Sequence, residues 1–194
     1  MQLVAVGEHG VDDEAVLLVE QRDQQRQAAH RHVAAVAQAE IEDRETEGRY
    51  HRVRFEREGG GAIEIETSRP ELLPACVALV AHPDDERYRP LFNTTVTTPL
   101  YGVQVPVLAH RLADPEKGTG IAMICTFGDV TDVTWWREHN LPTRALIGFD
   151  GRFATEMPDW ITSTAGQEHY AAIAGKYPKQ VRTAVVAMLR ESGE

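Results

Sequence analysis

Residues 50–67 read YHRVRFEREGGGAIEIET, and the fold is decided on this stretch. Val53 and Phe55 alternate with Arg52, Arg54 and Arg57, and beyond Gly59-Gly60-Gly61, Ile63 and Ile65 alternate with Glu64 and Glu66. Successive side chains of a strand point to opposite faces, so each half has one apolar and one charged face. Three glycines between two such runs read as a hairpin turn rather than a linker, because glycine takes positive φ without steric cost. A β-hairpin with a charged outer face is predicted.

Working outward, Ala75 to Ala81, Thr94 to Thr98, Val103 to Ala109, Ile121 to Thr126 and Arg144 to Phe149 are further short strand candidates, separated by Pro and Gly. So many short strands predict a β-barrel-like core. Two helices flank it: Thr131 to His139 before the Leu141-Pro142 stop, and Pro178 to Glu191, an amphipathic lid with Val181, Val185, Met188 and Leu189 on one face. The class is mixed α/β. Upstream, Gln21 to Glu40 reads as a polar helix with a loose stripe at Val33, Val36 and Ala37, so residues 1–36 are an unplaced polar leader and 37–194 the domain.

The 194 residues are 42% hydrophobic and 26% charged, as in ordinary globular proteins. The longest apolar run, Ala75 to Ala81, is far short of the roughly 20 residues that span a bilayer, and Met1 to Gly10 does not read as a targeting segment. Cys76 and Cys125 lack CxxC spacing and give no disulfide framework, which points to a reducing cytoplasm. A net charge of −10 opposes nonspecific attraction to polyphosphate, so any RNA must be bound locally or with help.

Three polar clusters stand at predicted strand ends: Thr67-Ser68-Arg69-Pro70-Glu71, Gly118-Thr119-Gly120 and Gly128-Asp129-Val130-Thr131-Asp132. Asp129 and Asp132 are three residues apart at a helix start, a spacing with two readings. Both carboxylates face one pocket and bind an ammonium, or Asp129 caps the helix while Asp132 complements its dipole. Arg69 and the glycine pair around Thr119 likewise read either as site residues or as an ion-paired arginine and a tight turn. His30-x-His32 lacks nearby acids, and Ser68 with His82 has no triad spacing, so neither a metal nor a cofactor is expected.

In order and spacing these clusters resemble the editing domain that valyl-, isoleucyl- and leucyl-tRNA synthetases insert into their catalytic domain. Thr67 to Glu71 is similar to the family's threonine-rich segment, Gly118-Thr119-Gly120 to its GTG turn, and Asp129 to its amino-group aspartate. Ala81-His82-Pro83-Asp84-Asp85-Glu86-Arg87-Tyr88 and His139-Asn140-Leu141-Pro142 resemble the valyl branch. The similarity runs from about Ala37 to Glu194 and is strongest from Ile63 to Phe153. Leu72, Met123, Cys125 and Gly128 stand where many valyl enzymes have threonine, lysine, threonine and histidine, and Cys125 to Trp136 is similar to a distinct valyl subgroup.

The resemblance implies the class I synthetase editing-domain fold and post-transfer editing, the hydrolysis of threonine from mischarged valine tRNA. It implies Asp129, Asp132 and Arg69 as catalytic residues, with Asp129 on the α-amino group. Thr67, Ser68, Glu71, Thr119, Cys125 and Thr126 would bind substrate. The implied partners are the tRNA(Val) acceptor end, the misattached threonine and the remainder of the synthetase. Arg52, Arg54 and Arg57 either touch the tRNA or form a solvated strand face. No HIGH-like or KMSKS-like motif occurs, so amino-acid activation is not expected. The competing readings are a non-catalytic tRNA-binding module and an editing hydrolase for another misacylated tRNA.

Overall fold

A computed structural model describes residues 49–126 and 128–193, and the expected leader helix over Gln21 to Glu40 lies outside them. The predicted hairpin is present as β1 (His51–Arg57) and β2 (Ala62–Thr67). Val53 faces Ile65 and Phe55 faces Ile63, all buried, while Arg52 lies across from Glu66 and Arg54 from Glu64. Arg52 donates to Glu66 at 2.8 Å, an exposed pair that solvent screens and that adds little to stability.

Four more strands follow: β3 (Cys76–Ala81), β4 (Thr95–Thr97), β5 (Gln104–Ala109) and β6 (Ile121–Cys125). The sheet order is β2-β1-β4-β5-β3-β6, with β3 and β5 parallel and the other neighbours antiparallel. The end strands β2 and β6 come into contact, so the sheet curls into a nearly closed barrel. All six residues of β3 are buried because the strand is shared between two cores, with an irregularity between Cys76 and Ala78 that puts Val77 and Ala78 on the same side. Cys76, Leu79 and Ala81 join the main core with Phe55, Ile65 and Tyr101, whereas Val77, Ala78 and Val80 join Ile124 and Trp135 behind it. Each large side chain so buried contributes about 1.5–3 kcal/mol, which makes β3 the anchor of the barrel.

Three helices flank the sheet: α1 (Val130–Glu138), α2 (Thr164–Ala171) and α3 (Pro178–Ser192). Helix α3 opens on proline, where a missing N–H costs nothing, and ends at Gly193 with φ 79°. Its buried Val181, Val185 and Leu189 recur every four residues, and it packs against a 3-10 turn, Pro70–Ala75.

One expected strand is corrected. Arg144 to Phe149 forms no strand, only an isolated bridge between Ile147 and Phe153. The chain turns at once, Gly148 bonding to Arg152 and Gly151 to Gly148, which leaves Phe149 fully exposed. Helix α2 was not legible in sequence because its eight residues TAGQEHYA carry one large apolar side chain, Tyr170; the Ser163 hydroxyl caps it by accepting from the Gly166 amide.

Candidate active site

The clusters meet around a cleft of about 570 Å³, formed by the end of β2 and the turn after it, strand β6, the loop 110–118 and the start of α1. Strand β2 stops at Thr67 because Pro70, which has no N–H for a ladder, opens the 3-10 turn. The Thr67 hydroxyl accepts from the Arg69 amide at 3.0 Å and fixes the chain reversal. The Arg69 guanidinium then crosses the cleft, and its Nη1 donates to the Gly128 carbonyl at 2.8 Å.

Behind Arg69 lies Glu71, only 1% exposed. Arg182 of α3 donates to both its oxygens, Nε to Oε2 at 2.8 Å and Nη2 to Oε1 at 2.7 Å, and Arg69 Nε reaches Oε1 at 3.5 Å. A buried carboxylate held by a bidentate arginine is fully compensated, so Glu71 is structural.

On the opposite side Asp129 is the N-cap of α1, its Oδ1 accepting from the Asp132 amide at 2.8 Å, and it is exposed. Asp132 is the buried partner, 8% exposed, with Oδ2 accepting from the Cys125 amide at 3.4 Å. Its carboxylate lies so close to Gly128 that a Cβ there would collide with it. Burial, and then the negative charge of Asp129, push the Asp132 carboxyl up to about 7; the two backbone hydrogen bonds and Arg69 pull the other way. An acid poised near neutrality in a cleft is a functional-site signal, and here it is aimed at a cation or a proton.

Thr67, Ser68, Arg69, Cys125, Asp129 and Asp132 line the cleft together. Glu71, Thr119 and Thr126 do not, each for a local reason. Glu71 is enclosed with Arg182. The Thr119 hydroxyl donates to the Ile121 carbonyl at 3.4 Å, and its own carbonyl accepts from the Tyr88 hydroxyl at 2.6 Å. Gly118 and Gly120 flank it at φ 58° and 80°, and a Cβ on Gly120 would collide with Arg87 and the Pro115 carbonyl. The Thr126 hydroxyl donates to the Pro142 carbonyl at 3.2 Å and accepts from the Arg144 amide at 3.0 Å. Both threonines thus tie loops to strands.

Cys125 contributes bulk. Burial raises its thiol well above the usual range, and it donates to the Leu72 carbonyl at 3.4 Å, so it packs the floor beside Leu72 and Met123 rather than acting as a nucleophile. Sequence reasoning missed Tyr50 and Leu112 at the mouth, Lys117 on the rim and Trp135 in the wall. Trp135 was legible, standing one helical turn after Asp132. Tyr50 and Leu112 carry no sequence signal and are recognised by their exposure, 66% and 55%. Among the described residues no group of three His, Cys, Asp or Glu side chains is placed to hold a metal, and no helix is long and apolar enough to cross a membrane.

No family model matches the chain. A valine–tRNA ligase of Thermobifida fusca (strain YX) is 68% identical over 160 residues, covering 82% of this chain and 18% of that protein. The valine–tRNA ligase of Leifsonia xyli subsp. xyli is 64% identical over the same length and with the same coverage. A solved structure described as GlLeuRS-CP1 overlaps 68% of this chain and 81% of its own at 12% identity, with a TM-score of 0.49. The chain spans about a fifth of the length of the curated relatives it matches. Across that matched span the chain is a relative of one segment of the valine–tRNA ligases.

Proposed function

We propose that this cleft is an editing site, which hydrolyses the ester joining a misattached threonine to the valine tRNA. The observation that carries the reading is the convergence of Arg69, Asp129 and Asp132 on one open cleft, beside the hydroxyls of Thr67 and Ser68, in a chain related to valine–tRNA ligases.

Asp132 receives the α-ammonium group. A carboxylate pushed up by burial and by a neighbouring acid gains most from an arriving cation, which restores its ionised form. Asp129, exposed and committed to the helix cap, reinforces the negative field at that end. This reverses the ranking that the resemblance alone implies for the two aspartates. Arg69 lies across the cleft and positions the ester, with its charge available to the oxyanion that forms as water adds to the carbonyl. The C–O bond to the ribose then breaks and the ribose oxygen takes a proton. Such an ester is already activated, so positioning and charge suffice without a covalent nucleophile.

Thr67 and Ser68 supply hydroxyls that can pair with the threonine hydroxyl. Valine has a methyl group there and would leave them unpaired, which is the physical basis of selectivity. The partner is the tRNA acceptor end, delivered by the remainder of the synthetase, because a chain of net charge −10 does not attract polyphosphate by itself.

The test is deacylation by this chain of threonyl- and valyl-tRNA(Val) side by side. The threonyl ester is expected to disappear roughly 100-fold faster or more. Equal rates would remove the selectivity, and tRNA binding without hydrolysis would make the chain a non-catalytic module.

A further inference from the structure

We propose that His110 is a positioning residue which holds the two sides of the cleft together through one imidazole ring. His110 follows β5 and is 7% exposed. Its Nδ1 accepts twice, from the Leu112 amide at 3.1 Å and from the Trp135 indole N–H at 3.0 Å. A nitrogen that accepts two N–H groups carries no proton, so the ring proton is on Nε2, which donates to Glu138 Oε2 at 2.7 Å.

The three partners belong to the two sides of the cleft. Leu112 opens the loop that supplies Asp114 and Lys117 to one side, whereas Trp135 and Glu138 belong to α1, whose first turn holds Asp132. The Trp135 ring stands edge-on to the imidazole, with centroids 6.1 Å apart. A flipped ring would set a ring C–H against the Trp135 indole N–H, and the other tautomer would set donor against donor there, so the ring has one satisfied orientation and the loop and helix one mutual register. The relation to catalysis rests on the proposed editing function: Asp132 lies one helical turn before Trp135, so its place in the cleft depends on that register.

The experiment uses the whole chain and three variants. His110→Phe removes both ring nitrogens, His110→Asn retains an acceptor near the place of Nδ1, and Trp135→Phe assigns the indole resonance. In ¹H–¹⁵N spectra, H110F is expected to move the Trp135 indole N–H and the backbone amides of residues 112–118 and 129–135 together. H110N is expected to leave them close to wild type. With threonyl-tRNA(Val), H110F is expected to lower kcat about tenfold with KM changed less than about threefold, and H110N to restore most of the loss. Movement on one side of the cleft only, or an unmoved indole resonance in a folded H110F, overturns the proposal. So does an unchanged kcat in H110F when the wild type hydrolyses the ester. If the wild type hydrolyses nothing, the editing reading fails by itself, and the joint movement of the two sides still decides the role of His110.

Discussion

Two carboxylates are buried on opposite sides of Arg69, and they are treated very differently. Glu71, in the 3-10 turn, is gripped on both oxygens by Arg182 and approached by Arg69. Asp132, in the first turn of α1, has a long bond from the Cys125 amide and no ion pair among the described residues. Burial costs both groups their hydration, but only Glu71 recovers it from the fold itself. The chain leaves the debt of Asp132 open at a cleft, where an incoming cation can settle it. The contrast separates a residue that holds the cleft together from one that waits for a ligand.

The strongest way to break the comparison is Asp132→Asn. If Asp132 binds the ammonium, kcat/KM for threonyl-tRNA(Val) should fall by roughly 100- to 1,000-fold, while the melting temperature at pH 8 rises. An active D132N chain would end the assignment. Second is Arg182→Ala, which strands Glu71 in a buried place; unfolding in urea should show a loss of about 3 kcal/mol. A loss no larger than that of an exposed ion pair would place Glu71 with Asp132 rather than against it.

The third and smallest effect is in the pH dependence of stability. Asp132 titrates near 7 in the folded chain, against an ordinary value of 3.8. Between those values the folded state holds a proton that the unfolded state has lost, so stability falls as pH rises through this window and levels off above it. Those two values set a ceiling of about 4 kcal/mol over pH 4–8, and water in the open cleft should bring the contribution of Asp132 down to about 2 kcal/mol, which D132N should remove. A stability profile whose slope is the same in D132N would show that the Asp132 carboxyl is not raised by burial.

Much of the barrel was legible because its signals are local. The β1–β2 hairpin follows from alternation around three glycines, and α3 from apolar residues every four positions. Strand β3 reads as an unbroken apolar run because both its faces are covered. Arg144 to Phe149 misled because β-propensity says nothing about the turn that Gly148 and Gly151 impose. Within the site, the spacing of Asp129 and Asp132 brought both to the cleft but not their division of labour. That depends on which carboxylate the fold buries, which is set by how the turn at Gly128 and the end of β6 at Cys125 close over Asp132 and not by the spacing of the two acids. Glu71 could not be separated from its neighbours in Thr67 to Glu71, because its partner Arg182 lies 111 residues away.

That distance limits how the chain can be shortened. Ending it ahead of α3 would look like trimming a surface helix, since the barrel strands all precede residue 126. It would also take away the only bidentate cation on Glu71 among the described residues and leave Arg69 as the nearest substitute. Arg69 would then be drawn away from the Gly128 carbonyl toward the stranded acid. A minimal version of this unit therefore needs its last helix as much as its barrel.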